Sequence, residues 1–297
     1  MSRIEEAMRR AGTGAAGSES SAIARERLAM ASKRHARLED FVAEQESAIG
    51  VADGLSILDR AQLRSAANAK GAAAASMRIP RFVEGKLISL TRTEPQSLDQ
   101  YQRLAATVHM VQQQHGIKVL MVTSTARREG KTITSANLAL TLGHLYKKNV
   151  LLIDGDLRRP ALHEIFGISN ASGLREGLAT EAGSLSAVQV TPALAVLPAG
   201  RAKSSALAGL TSERMRAVLK EAAARFDWVI LDTPPVDGLP DARLMAEFVD
   251  GVIFVIGANT TDYRLVEHAL SEIGRERVIG AVLNRVDEGI TQSGYGS

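Results

Sequence analysis

Residues 118–137 read KVLMVTSTARREGKTITSAN. An apolar run, a short loop closing on Gly130-Lys131-Thr132 and a helix-forming stretch follow one another without a break. A buried strand that feeds such a loop and then a helix is a device for cradling phosphate, because N–H groups at the helix start are free and the helix dipole favours an anion there. Gly130 lets the backbone approach closely, Lys131 carries positive charge to the β- and γ-phosphates, and Thr132 offers a hydroxyl to Mg²⁺. The glycine usual six residues before the lysine is Thr125 here. The loop as a whole, with Thr125, Arg128, Glu129, Gly130, Lys131, Thr132 and Ile133, is assigned to nucleotide.

Outward from this loop the pattern repeats. KVLMVT (118–123), NVLLID (149–154), DWVILD (227–232), GVIFVIG (251–257) and VIGAVLN (278–284) each read as a fully buried strand, and ALAVLPAG (193–200) adds another. Helical stretches lie between them over 132–146, 212–225 and 262–274, and one over 96–114 precedes the first, with Leu98, Tyr101, Ala105, Val108 and Val111 at helical spacing. Buried strands alternating with helices predict an α/β fold, a doubly wound and mostly parallel sheet covered on both faces. Ligands bind such sheets beyond the carboxyl ends of the strands.

Two of those ends are acidic. NVLLID ends on Asp154, with Asp156 in the following DGDLRRP, and WVILD ends on Asp232, followed by Thr-Pro-Pro. Carboxylates there hold Mg²⁺ directly or through water, and one can serve as a base.

The three motifs together, REGKT, VLLIDGDLRRP and VILDTPP, resemble those of the bacterial tyrosine kinases, with SGLREGLA, LPAG and AVLNRVD agreeing further along. The resemblance covers residues 80–290 and implies a P-loop ATPase fold with a deviant Walker A loop, akin to partitioning ATPases. It also implies an autokinase that uses ATP and Mg²⁺. The opening SRIEEAMRRAG is similar to the start of stand-alone kinases encoded with exopolysaccharide systems. Carried over, Lys131 and Thr132 hold phosphates and Mg²⁺; Asp154 and Asp156 position the metal and deprotonate an acceptor tyrosine; Asp232 orders the metal's water shell. Arg158 supports phosphate or a neighbouring subunit, and Asn284 meets the adenine. The implied partner is a membrane-embedded chain-length protein, or polysaccharide co-polymerase, that holds the kinase at the inner face of the membrane and stimulates it, docking near 96–114 or the N-terminal segment.

Two family features are weakened. The helix motif Glu-x-x-Arg-x-x-Arg, which serves ring assembly, is matched by Asp99, Gln102 and Ala105, with Arg103 as partial compensation. The C-terminal tyrosine cluster is reduced to Tyr295, taken as the phosphoacceptor, modified within a homo-oligomer. Tyr101, Tyr146 and Tyr263 fall in expected helices. A nucleotide switch of the partitioning type is disfavoured by Ala126, where those proteins carry a second lysine; a non-catalytic regulatory module remains open.

The chain has 297 residues and no cysteine, which excludes disulfides, thiolate metal sites and cysteine nucleophiles. A net charge of +3 gives no footprint for nucleic acid. No apolar run is long enough to span a membrane, so a cytoplasmic location is expected. Residues 1–80, rich in Ala, Ser, Arg and Glu, read as a flexible, partly helical extension, 81–287 as the kinase domain and 288–297 as a flexible tail.

Overall fold

The computed structural model describes residues 87, 95–179, 185, 187–201, 213–237 and 240–286. The expected N-terminal extension, the C-terminal tail and Tyr295 lie outside them. Alternation of side chains across a strand explains the apolar runs. In β1 (Val119–Ser124), Val119 and Met121 face one core while Leu120 and Val122 face another. A strand sandwiched between two helical layers needs apolar residues at every position, so its sequence shows no period of two.

Helix α1 (Pro95–His115) and helix α2 (Lys131–Leu145) cover one face, where Leu104, Val108, Leu138 and Leu142 pack on Leu120, Val122 and Trp228. Leu87 joins the same core with no exposure. Strand β2 (Val150–Asp154) follows, then two short helices, α3 (Leu162–Phe166) and α4 (Leu174–Ala179). A hairpin, β3 (Val188–Thr191) and β4 (Leu194–Leu197), leads towards α5 (Glu213–Arg225), β5 (Trp228–Asp232), α6 (Pro240–Met245), β6 (Gly251–Gly257), α7 (Tyr263–Ile273) and β7 (Val278–Asn284). Met215, Val218 and Leu219 of α5 close the second face together with residues of α6 and α7.

The seven strands are ordered β3-β4-β2-β5-β1-β6-β7. All neighbours run parallel except β3 against β4. The register fixes the site, because Asp154 lies opposite Asp232 and Asp232 opposite Val122. Two acidic strand ends are thus level with each other and two residues below the point where β1 ends at Ser124 and turns into the phosphate loop.

Two expectations need correction. VIGAVLN reads as fully buried, yet β7 is an edge strand whose residues are mostly half-buried, and Leu283 is 48% exposed. With no strand beyond it among the described residues, only one side of its backbone is paired. Strand β3 is also absent from the sequence reading; its four residues pair with β4 at the other edge and are half-exposed or exposed.

Leu120 sits in a central strand with no exposure, so Leu120→Ala leaves a cavity costing about 2–5 kcal/mol. Trp228, the chain's single tryptophan, has no exposure and reports unfolding directly. Urea unfolding followed by its fluorescence should show a clearly lower midpoint in the variant; an unchanged midpoint would contradict the packing described.

Candidate functional site

Helix α2 starts at Lys131 with Gly130 as its N-cap, in a left-handed conformation (φ 96°) that offers no side-chain cap. The first-turn N–H groups are therefore left for a ligand. Gly130 is demanded twice over, since a Cβ there would lie 2.0 Å from Asn284 Nδ2. That nitrogen donates to the Glu129 carbonyl at 2.8 Å, so the end of β7 leans on the loop.

Glu129 is 4% exposed. Its Oε2 accepts from Ala126 N–H at 2.7 Å, and its Oε1 accepts from Gly257 N–H at 3.2 Å and from the Thr261 hydroxyl. Its carboxylate thus closes the loop on itself and fastens it to the end of β6. Thr125 replaces the usual glycine without strain, because among non-glycine residues of this loop only Arg128 (φ 66°) has positive φ. Thr125 is buried, its hydroxyl unpaired, and its carbonyl accepts from Asp237 N–H at 3.1 Å. Ile133 packs its side chain on the α1–α2 core, leaving its backbone to the site.

Asp154, Asp156 and Asp232 are all buried. Asp154 Oδ2 accepts from the Ala161 and Leu162 N–H groups, both at 3.0 Å, while its Oδ1 accepts nothing. Gly155 between the acids is a matter of space: its N–H donates to the Asp232 carbonyl at 2.7 Å, and a Cβ would come within 2.8 Å of that oxygen. Asp156 Oδ1 accepts from Arg159 N–H at 3.0 Å, and its Oδ2 lies 3.6 Å from Lys131 Nζ. Asp232 Oδ1 accepts from the Ser135 hydroxyl at 3.1 Å, and the Thr132 hydroxyl bonds the same carboxylate. Arg158 stands apart, paired with buried Asp241 at 2.7 and 3.3 Å, so it ties the β2–α3 loop to α6.

Three buried carboxylates face one lysine, and the titration of Asp154 and Asp232 shows the imbalance. Burial first, then the charge of Asp232, pushes Asp154 up to about 8, against hydrogen bonds from Leu162 and Ala161. Burial also raises Asp232 to about 6, although Lys131, Thr132 and Ser135 favour its charged form. A divalent cation fits this donor set. Mg²⁺ characteristically takes one or two carboxylates and fills its shell with water and substrate phosphate. Among the described residues no three His, Asp or Glu side chains are placed to hold a metal ion by themselves.

The sequence reading does not single out Ser135 or Asp241. Ser135 has a readable signal, one helical turn after Thr132 on the same face; Asp241 has none. Of the tyrosines, Tyr101 is held by burial above its ordinary pKa with its hydroxyl towards Thr134 and Asn137, and Tyr146 stacks on His109 at 4.3 Å. Tyr263 is 56% exposed. At the weakened motif, Arg103 pairs with Asp99 at 2.9 Å on the solvent face, while Ala105 faces the core.

Because Asp154 binds its proton more tightly folded than unfolded, this group stabilises the fold at low pH and loses that contribution as pH rises from about 4 to about 8. In EDTA, Asp154→Asn should therefore melt above wild type at pH 8, by an amount on the order of a few kcal/mol, with the gap closing towards pH 4. A variant that is no more stable than wild type at pH 8 would contradict the burial of an uncompensated acid.

Residues 120–294 match the CobQ/CobB/MinD/ParA nucleotide-binding domain family. The tyrosine-protein kinase YwqD of Bacillus subtilis is 33% identical over 201 residues, which cover 66% of this chain and 84% of that protein. The succinoglycan biosynthesis transport protein ExoP of Rhizobium meliloti is 34% identical over 179 residues, 57% of this chain but 22% of that much longer protein. Among solved structures, the kinase domain of the Escherichia coli tyrosine kinase ETK superposes with a TM-score of 0.63 at 25% identity, covering 77% of this chain and 90% of that domain. With its phosphate loop, its two acidic strand ends and these relatives in agreement, the chain belongs to the bacterial tyrosine kinases, a branch of the CobQ/CobB/MinD/ParA nucleotide-binding family.

Proposed function

We propose that this protein is an Mg²⁺- and ATP-dependent protein-tyrosine autokinase serving the production of a surface polysaccharide beside a membrane partner. The observation that carries the chemistry is the pairing of Asp154 with Asp232, level across two strands and under the loop that bears Lys131. Phosphoryl transfer asks mainly for positioning and charge neutralisation. Lys131, now 3.6 Å from Asp156, turns to the β- and γ-phosphates, and the backbone of residues 125–133 wraps them. Thr132, Asp154, Asp156 and Asp232 would position Mg²⁺, directly or through its water shell, and the ion would draw charge from the phosphates. Asp154, whose Oδ1 accepts no hydrogen bond, takes the phenol proton as the tyrosine oxygen bonds to the γ-phosphorus and ADP leaves. Asn284 Nδ2 is occupied by the loop, and its Oδ1 is the atom offered to the adenine.

The polysaccharide role draws on relatives such as the succinoglycan transport protein. Among the described residues no helix is long and apolar enough to cross a membrane. The membrane partner's cytoplasmic tail is expected to raise turnover by docking near α1 or the N-terminal segment. Homo-oligomerisation would bring the acceptor Tyr295 of one copy to the site of another.

Incubation with Mg-ATP followed by mass spectrometry tests this reading. Wild type should gain phosphate on tyrosine, Lys131→Met should lose at least about 100-fold of that rate, and Tyr295→Phe should lose the tail phosphate. Hydrolysis of ATP with no phosphotyrosine anywhere would overturn the kinase assignment, and phosphate on exposed Tyr263 alone would overturn the assignment of the acceptor.

A further inference from the structure

Several arginines away from the phosphate loop are paired: Arg103 with Asp99, Arg225 with Glu221, Arg275 with Glu267 and Arg277 with Glu247. Around the loop the pattern is different. Arg127 and Arg128 on the β1–α2 loop, Arg264 at the start of α7 and Arg285 after β7 are all exposed. No ion pair joins them to a carboxylate among the described residues.

These four lie on three loops that the structure stitches together. Glu129 bonds Gly257 and Thr261, which draws in the β6–α7 connection, and Asn284 bonds the Glu129 carbonyl, which draws in the end of β7. β1 and β7 are separated by β6 alone, so their ends are about 10 Å apart. Arg128 and Arg285, next to the two bonded residues, both hold left-handed backbones, at φ 66° and 61°. For a residue other than glycine such a conformation is uncommon, and strain of this kind clusters at functional surfaces. The exposed carboxylate on these loops, Asp262, caps the first turn of α7 by accepting from Arg264 N–H at 2.7 Å. The result is a cationic rim beside the phosphoryl-transfer cleft, four arginines against the one exposed carboxylate of Asp262, and none of the four is in an ion pair among the described residues.

We infer that Arg127, Arg128, Arg264 and Arg285 form a docking rim for an acidic polypeptide segment, and that the kinase favours acceptors with Asp or Glu in the stretch that precedes the tyrosine, as Asp287 and Glu288 precede Tyr295. The inference rests on the kinase reading above, since the cleft beside the rim must receive a tyrosine. A polypeptide is favoured over a lipid surface because Arg127 and Arg128 stand on the phosphate loop itself, whose mouth must stay open to nucleotide and acceptor. The chain's own tail is a candidate ligand, for Asp287 and Glu288 come shortly after Arg285 and no basic residue follows them. Planar guanidinium groups suit bidentate capture of carboxylates, and several weak exposed pairs acting together supply selectivity that one does not.

Fluorescein-labelled peptides, Glu-Glu-Glu-Tyr-Gly-Glu and the same peptide with Gln for every Glu, are titrated with full-length protein in Mg-ADP at low salt and read by anisotropy. The acidic peptide should bind at least about tenfold tighter, and the advantage should fade as salt rises. The double variant Arg264→Gln, Arg285→Asn should lose most of that preference while its ADP affinity stays within about twofold of wild type; asparagine tolerates the left-handed backbone at 285. Equal binding of the two peptides by wild type overturns the rim. So does a parallel loss of ADP affinity in the variant, which would assign these arginines to nucleotide, or a preference for phosphatidylserine vesicles over the acidic peptide. Because the readout is binding, it stands apart from the phosphotyrosine assay: a rim that binds acidic peptide in a protein that phosphorylates none would sink the kinase reading and leave the docking surface.

Discussion

Asp154 and Asp232 end neighbouring strands at the same level, both out of water, with Asp156 close by and a single lysine opposite. Burying like charges together is costly, and the cost appears as the raised proton affinity of Asp154 and Asp232. Much of the local sequence serves to hold that arrangement. Gly155 keeps the two acidic strands in contact, Ser135 and Thr132 steady the Asp232 carboxylate, and the amides of Ala161 and Leu162 hold one oxygen of Asp154 while leaving the other open. A fold does not keep an uncompensated charge of this kind for stability, and the compensation it fits is a divalent cation shared with phosphate.

The second constraint is the stapling of the phosphate loop from outside. A loop with threonine in place of its first glycine and with arginines at its tip has lost part of the backbone freedom that glycine gives. Glu129 and Asn284 replace that freedom with fixed hydrogen bonds to the ends of β6 and β7. The edge strand β7 thereby gains a role beyond closing the sheet: through Asn284 it takes part in the shape of the nucleotide site. The same bonds gather the unpaired arginines onto one rim, so loop rigidity and partner recognition share a single cause.

Much of this is legible in the sequence because burial on both faces leaves an unmistakable trace. VLLID and WVILD read as strands, and their terminal acids as site residues, since an aspartate closing an apolar run beside Gly-Lys-Thr stands where the metal of a bound nucleotide would lie. What the sequence hides depends on three-dimensional neighbours. The half-exposure of β7 follows from its place at the edge, which strand order alone reveals. The short β3 has too little apolar pattern to stand out. Glu129 reads as part of the nucleotide loop, but whether its carboxylate faces phosphate or the loop's own amides is decided by Gly257 and Thr261, more than 120 residues away. The pairing of Arg158 with Asp241 is hidden for the same reason.

The central claim is that the carboxylates beneath the phosphate loop are completed by Mg²⁺ brought together with nucleotide. Isothermal titration of the full chain with ADP, once in Mg²⁺ and once in EDTA, tests it most directly. The account predicts that Mg²⁺ tightens ADP binding by at least about tenfold, roughly 1.4 kcal/mol, and that Asp232→Asn removes most of that gain while binding metal-free ADP no worse than wild type. Equal affinity with and without Mg²⁺ in the wild-type protein would contradict it.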